Sequence, residues 1–321
     1  MTDDTAARTV GVVMAGGSGE RMRASGELTH KPLVTVLGAP LVERSIFAML
    51  RAGMTDIRLV IAAGPRGEQT ACWASRRGEV LVAAAGGWMS VVRESQPLGN
   101  CGGLVLAMGH DERDALLVFA DNVTDIALTA LVRAHEAHQA ALTLAVHPEP
   151  FRLPYGIVDI VDDAVVGYRE KPTLEMTVSS GLAVVSASAR ALLSGPAGLT
   201  ELANTVVARG LVARSYRHHC RWIDVNDLAK VELATRMIQS APDRFERCWP
   251  AGSHDDTGTS DDILASSAVD PGAARAVSRP IVIDDVSGAG LPIRIDVAQA
   301  RPDQVAPEGW ARVLAWREAG L

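Results

Sequence analysis

Short apolar runs alternate with helix-patterned segments through the first half of the chain, and this alternation restricts the topology more than any other feature. "TVGVVMA" is followed by a helical pattern from about Leu41 to Ala52, then "DIRLVIAA", then a second helical pattern near Glu68 to Arg77. "ALLVFADN", a helical pattern near Ala127 to Gln139, and "AALTLAVH" continue the series. Strands separated by helix-length segments predict parallel pairing with crossover helices. The expected product is an α/β, doubly wound nucleotide-binding sheet.

Past Pro150 the texture changes. "YGIVDIVDDAVVGYREKP" reads as two short strands joined by an Asp162-Asp163 turn. Helical patterns return at Leu199 to Arg209 and at Asp227 to Gln239, with "GLVARSYRHHCRWIDV" as strand between them. From about Pro250, "AGSHDDTGTSDD" is polar and acidic, the composition of a linker or loop. Beyond it, "RPIVIDDV" and "PIRIDVA" predict two strands, and a short helix would carry Trp310 and Trp316. The expected organisation is a main domain over 1–249 and a small C-terminal appendage over 250–321, with an interface or lid role.

Composition narrows the function. Hydrophobic residues make up 48% of the chain and aromatic residues only 4%, so the core must be aliphatic. The net charge is −7 and no basic stripe occurs, which argues against nucleic-acid binding but not against a small phosphorylated substrate held by a few local cations. No apolar run approaches the roughly 20 residues needed to span a bilayer, so no membrane partner is expected. The first ten residues lack the basic-then-apolar order of a signal peptide, and a cytoplasmic protein is expected. Cys72, Cys101, Cys220 and Cys248 stand far apart without CxxC spacing, which predicts buried free thiols.

The first apolar run ends in "AGGSGER". A Walker loop would carry Lys-Ser or Lys-Thr where Glu20-Arg21 stands, and a dinucleotide fingerprint would carry glycine in place of Met22. What remains is a glycine turn at a strand's carboxyl end, with backbone N–H groups facing a ligand and a cation placed to meet negative charge. Lys31 follows ten residues after Arg21, ahead of Pro32, whose ring disfavours helix at the preceding residue and so predicts an extended segment. Either cation alone is more naturally a solvated surface charge. Their joint spacing points to one anion.

Here the chain resembles the sugar-1-phosphate nucleotidyltransferases (NDP-sugar pyrophosphorylases), whose opening signature is Gly-Gly-x-Gly-x-Arg followed by Pro-Lys-Pro-Leu; His30 replaces the first proline. In order, "ESQPLGNCGG" resembles the family's base-binding loop, "FADN" its first metal-binding strand end, "YREKP" its sugar-binding segment and "RWIDVND" the segment with a second metal-binding aspartate, Asn226 standing where glycine is usual. The resemblance implies a Rossmann-like doubly wound mixed sheet of GT-A-like nucleotidyltransferase type, a nucleoside triphosphate and a sugar phosphate as substrates, Mg²⁺ as cofactor, and a homo-oligomer.

By that resemblance Arg21, Lys31 and Asp121 would be catalytic, and Asp121 with Asp224 would hold the metal. Ala15, Gly16, Gly17, Gly19, Glu94, Gln96 and Gly99 would bind the nucleotide. Tyr155, Gly156, Glu170, Lys171, Ser180 and Gly181 would bind the acceptor. A phosphate monoester, with a second pKa of about 6, is largely ionised near neutrality and needs no general base. The chemistry reduces to positioning and charge neutralisation. Gln96 would pair with uracil or thymine and Glu94 would suit guanine's N–H groups, and the sequence leaves both open. Two other readings stand beside this one: a cytidylyltransferase for a phosphorylated alcohol, suggested by "GERM" and "LVERSI", and a non-catalytic nucleotide-sensing subunit. His135 and His138 read as a polar helix face, and His218-His219 as opposite faces of a strand.

Overall fold

The computed structural model describes residues 8–17, 19–27 and 29–245, and the two short strands at 281–283 and 293–295. The chain divides into two units, Met1–Phe245 and Glu246–Leu321.

The first unit begins with β1 (Val10–Met14), α1 (Glu20–Ala24), a 3₁₀ turn (Lys31–Leu33), a small hairpin of β2 (Thr35–Val36) and β3 (Ala39–Pro40), and α2 (Leu41–Arg51). β4 (Asp56–Ala62) leads to α3 (Pro65–Trp73), a π turn (Ala74–Gly78), α4 (Glu79–Ala84), β5 (Trp88–Glu94) and α5 (Gly103–Met108). There follow β6 (Ala115–Phe119), β7 (Asn122–Thr124), α6 (Leu128–Ala137), β8 (Leu142–Arg152), β9 (Ile157–Val161), β10 (Ala164–Arg169) and β11 (Thr173–Val185). The unit closes with α7 (Ala187–Arg190), α8 (Leu199–Ala208), β12 (Ala213–Arg217), β13 (Trp222–Asp224), α9 (Leu228–Gln239) and α10 (Pro242–Phe245). In the second unit, β14 (Ile281–Ile283) pairs antiparallel with β15 (Ile293–Ile295). The proposed tryptophan helix lies outside the described residues.

Seven strands form one sheet in the order β12-β8-β11-β6-β1-β4-β5. β1 runs parallel to β4 and β6, β4 to β5, and β12 to β8, while β11 is antiparallel to both neighbours. The sheet is therefore mixed and doubly wound. β1 is buried along its whole length, as a strand with helices on both faces must be. Its aliphatic core joins Val12, Val60, Leu117, Leu104 and Leu202.

Two departures from the sequence pattern shape the site. The segment 210–225 is not one strand: it breaks after Arg217 and resumes as β13, which pairs with β7 through Asp224↔Asn122. β8 and β11 also run on beyond the sheet as a ribbon, from His147↔Val178 to Arg152↔Thr173, bearing the β9–β10 hairpin. That hairpin turns at Asp162 and Asp163, both at positive φ, as a tight turn matched to strand twist requires.

A second, smaller core lies beneath the glycine loop. Met22 of α1, Val34 and Val36, Leu41, Val123, Ile223, Val225, and Ala234 and Ile238 of α9 pack into one cluster. It gathers segments more than 200 residues apart in the chain, among them Met22 next to Arg21, Val123 two residues from Asp121, and Ile223 and Val225 on either side of Asp224.

Candidate functional site

The glycine turn leaves the sheet where β1 ends. Ala15 N–H donates to the Val60 carbonyl at 2.7 Å, and Ala120 N–H donates to the Met14 carbonyl at 3.0 Å, so the turn is tied to both neighbouring strands. Gly19 caps α1 in the left-handed region at φ 61°, and a Cβ there would lie 3.3 Å from the Lys31 Cβ. Only glycine meets both demands without strain. Lys31 is thereby seated against the loop.

Lys31 opens a 3₁₀ turn, where the sequence suggested an extended segment. Proline constrains the residue before it against α-helix, but a single 3₁₀ turn with Pro32 at its second position satisfies that constraint. His30 is buried, with Nδ1 2.7 Å from Thr70 Oγ1. Burial holds its pKa below the usual histidine value, against an opposing hydrogen bond to the Gly17 backbone. The residue that departs from the family's proline thus fastens the loop to α3.

Lys31 Nζ is the centre of the cluster. It donates to Asp121 Oδ2 at 2.5 Å and to Asn226 Oδ1 at 2.5 Å, and it lies 3.7 Å from Asp224 Oδ1. Asn226 Nδ2 in turn donates to Asp224 Oδ2. Asp121 and Asp224 are brought together by the β7–β13 pair, with Val225 N–H donating to the Asp121 carbonyl at 2.9 Å. Burial first, and the Asp121 charge second, push the Asp224 carboxyl above the ordinary aspartate range, opposed by Lys31, Asn226 and Arg21. Arg21 itself is exposed on α1, close enough for its charge to act on Asp224.

Asp224 Oδ1 is buried with no hydrogen-bond partner. Two carboxylates, one holding an orphaned oxygen, suit a hard divalent cation that takes one or two carboxylates and completes its shell with phosphate oxygens and water. Among the described residues no group of three or more His, Cys, Asp or Glu side chains is placed to hold a metal by itself. The donor set fits Mg²⁺ bound jointly with a polyphosphate.

The base-loop candidates separate by burial. Glu94, at the end of β5, is only 4% exposed, and its Oε1 has no partner. Its carboxyl is pushed up by burial, against a hydrogen bond from the Leu98 backbone. A Cβ on Gly16 would approach Glu94 Oε2 to 2.9 Å, so the glycine turn and Glu94 share one wall. Gln96 is exposed. Gly99 sits at φ +79°, and a Cβ there would lie 2.5 Å from the Ala197 carbonyl.

The acceptor candidates lie on the ribbon. Tyr168 packs on Gly156 and donates through its hydroxyl to Glu170 at 2.9 Å; Glu170 lies 3.7 Å from Lys171, and Tyr155 is 77% exposed. Tyr168, Glu170 and Lys171 thus pair among themselves. Ser180 differs from expectation. It is fully buried, and its hydroxyl lies between His147 Nδ1 at 2.8 Å and His218 Nε2 at 2.7 Å, so it is not free to meet a ligand. His135, expected on a polar surface, is buried against Thr143 at 2.9 Å.

Sequence reasoning passed over Asn122, His147 and the role of Asn226. Asn122 follows the Asp121 already singled out, and Asn226 stood out as a replacement for glycine, so both left a signal. His147 left none.

A sequence-family profile described as Nucleotidyl transferase matches residues 10–228. The chain is 30% identical over 175 residues to a glucose-1-phosphate thymidylyltransferase of Streptomyces antibioticus, covering 50% of this chain and 44% of that protein. It is 28% identical over 158 residues to a mannose-1-phosphate guanyltransferase of Candida albicans, covering 46% and 40%. The match thus spans less than half the length of these curated relatives. Two solved structures share the fold. A putative glucose-1-phosphate thymidylyltransferase from Bacillus anthracis has a TM-score of 0.55 at 17% identity, covering 71% of this chain and 94% of that one. HddC from Yersinia pseudotuberculosis, complexed with GMP-PN, has a TM-score of 0.55 at 15% identity, covering 72% and 99%. With the profile spanning about two thirds of the residues, and with the glycine turn, Lys31 and the aspartate pair in one cluster, the chain belongs to the nucleotidyl transferase family.

Proposed function

We propose that this protein transfers a nucleotidyl group from GTP to a sugar 1-phosphate and releases pyrophosphate. The observation that carries the reading is Lys31 Nζ held between Asp121 and Asp224 beside a glycine turn. With Arg21 beside it and a metal held by the two carboxylates, such a cluster would answer the main obstacle of the reaction, the approach of a phosphate dianion to the α-phosphorus of a polyanion.

In this reading the glycine turn receives the triphosphate through its backbone N–H groups. Arg21, with its planar fork of donors, takes two phosphate oxygens. Lys31 places a compact charge at the transferring group and keeps the two carboxylates from repelling each other. Asp121 and Asp224 would hold Mg²⁺, which supplies Lewis-acid stabilisation of the charge that develops. The acceptor phosphate attacks in line without a general base, and pyrophosphate leaves as an anion. The exposed ribbon that carries Tyr155, Gly156, Glu170 and Lys171 is the reading's acceptor arm.

In this reading Glu94 selects the base. Guanine presents two adjacent donors, N1–H and the 2-amino group, to which an acceptor-only carboxylate is complementary; uracil and thymine present one donor between two acceptors. The buried, unpartnered Glu94 oxygen favours guanine, and the exposed Gln96 offers no comparable preference. The relatives include a guanyltransferase and a thymidylyltransferase, so the proposal of guanine rests on the side chain and not on likeness.

The test is pyrophosphate release with Mg²⁺ from each of ATP, CTP, GTP, UTP and dTTP against a panel of sugar 1-phosphates. Release with GTP and a sugar 1-phosphate is expected. Release only with CTP and a phospho-alcohol, or with no pair, would overturn the proposal.

A further inference from the structure

Beneath the carboxylate cluster lies a buried chain of three side chains from three different segments. His218 Nδ1 accepts a hydrogen bond from the Cys220 backbone N–H at 3.3 Å. A nitrogen that accepts carries no proton, and burial, aided by the neighbouring His147 and His219 and opposed by Asp125, holds His218 below its ordinary pKa. The ring is therefore neutral, with its proton on Nε2. That proton has one partner, Ser180 Oγ, at 2.7 Å. The serine hydroxyl is then left to donate in the other direction, to His147 Nδ1 at 2.8 Å. His147 must carry its own proton on Nε2, a buried atom with no hydrogen-bond partner that lies 3.5 Å from Glu149 Oε2. One backbone N–H thus fixes the direction of every hydrogen bond in the chain.

The relay reaches the acidic strands through Ser180. The Ser180 carbonyl accepts from Trp222 Nε1 at 2.6 Å and from Asn122 Nδ2 at 3.1 Å, and Asn122 Nδ2 also lies 3.2 Å from the Gly181 carbonyl. The His147 ring rests on the Trp222 ring, with centroids 4.7 Å apart. Asn122 adjoins Asp121, and Trp222 is two residues from Asp224. Both anchors are therefore held by one peptide, whose side chain is locked on two sides.

We propose that His218, Ser180 and His147 are positioning residues for nucleotidyl transfer: their one-way hydrogen-bond relay fixes the Ser180 peptide, which through Asn122 and Trp222 sets the separation of Asp121 and Asp224. The proposal rests on the reaction assigned above, and its test separates the two. Outer-shell partners of metal-binding carboxylates are typically worth about 10–100-fold in metal affinity or activity. Ser180→Ala removes the central link, and Ser180→Thr restores the hydroxyl.

The experiment has two readouts on the full chain. Long-range ¹⁵N–¹H spectra of the imidazoles report the tautomers of the unaltered protein; both His147 and His218 are expected to carry a proton on Nε2 and none on Nδ1. Mn²⁺ binding in the presence of GTP, followed by electron paramagnetic resonance, is expected to weaken about tenfold in Ser180→Ala and to recover in Ser180→Thr. Pyrophosphate release, where present, should show kcat falling with little change in the KM for GTP. An Nδ1–H tautomer at His147 would overturn the relay even if every variant misfolds. Unchanged Mn²⁺ binding in a folded Ser180→Ala would overturn its positioning role. Failure of the unaltered protein to release pyrophosphate would instead remove the assigned reaction, leaving the spectra and the Mn²⁺ titration to decide the relay.

Discussion

Glu94 shows how one side chain's discomfort can mark a site. Burial without full hydrogen bonding pushes its carboxyl above the ordinary glutamate range. A carboxyl raised in the folded state stabilises the fold at low pH, and that contribution is lost as pH rises through the folded value. Glu94→Gln should therefore melt higher than the unaltered protein at neutral and alkaline pH, with the gain vanishing on acidification. The same substitution should raise the KM for GTP by about 10–100-fold, because a charged acceptor to a base edge contributes roughly 1.5–3 kcal/mol. Thermal melts across pH, set beside GTP kinetics, check both halves. A variant less stable at pH 8 and unchanged with GTP would make Glu94 a plain structural residue. The glycine turn, Arg21, Lys31 and both aspartates were legible because their chemistry lies in residue type and spacing along the chain. The Ser180 relay was not, because its meaning depends on His147 and His218 meeting across β8, β11 and the end of β12.

At the scale of elements, α1 illustrates what packing adds to sequence. Five residues, Glu20–Ala24, are too few to hold a helix in water, where nucleation is costly. Met22, 1% exposed, fastens it into the small core with Leu41, Val123 and Val225. Met22→Ala should cost about 2–5 kcal/mol and lower kcat/KM by loosening Arg21, whereas Met22→Leu, nearly equal in volume, should cost under about 1.5 kcal/mol. Denaturant unfolding and steady-state kinetics on both variants test this, and equal kcat/KM in the two would separate α1 from the site. Element types were readable from periodicity. The course of β11 was not: a strand of 13 residues antiparallel to both neighbours is set by tertiary pairing, and its outer half gives no burial signal. The break between β12 and β13 was hidden for a similar reason, since "RHHCRW" carries no proline or glycine to announce it.

For the molecule as a whole, the site occupies the carboxyl ends of β1, β5 and β6, while a separate network holds the opposite end of the sheet. Asp56, Arg58, Asp111 and Arg113 form it: Arg58 Nη2 lies 3.0 Å from Asp56 and 2.5 Å from Asp111, and Arg113 Nη2 lies 2.6 Å from Asp111. Burial would raise the Asp111 carboxyl, but hydrogen bonds from Arg113 and Arg58 outweigh it and hold the group well below the usual aspartate range. A depressed carboxyl contributes stability above its unfolded pKa of about 3.9, and that stability is lost as pH falls toward the folded value. Asp111→Asn should cost about 1–2 kcal/mol near pH 7, less than breaking a fully buried pair because Asp111 and Arg113 are partly exposed to solvent, and the gap to the unaltered protein should narrow below about pH 4. Urea unfolding at pH 7 and pH 3.5 tests this; a gap that stays constant would show that the charge is immaterial. Activity at pH 7 should survive, because the network touches neither the glycine turn nor the aspartate pair. No helix among the described residues is long and apolar enough to cross a membrane.

The central claim is that two cations, together with a metal ion that two carboxylates would hold, gather from distant parts of the chain around one polyphosphate and offset its charge. Pyrophosphate release from GTP and a sugar 1-phosphate by Asp121→Ala, at saturating Mg²⁺, tests it most directly. Turnover should fall by about 10³-fold or more while the circular dichroism spectrum is retained. A folded Asp121→Ala that turns over at the rate of the unaltered protein would contradict the account.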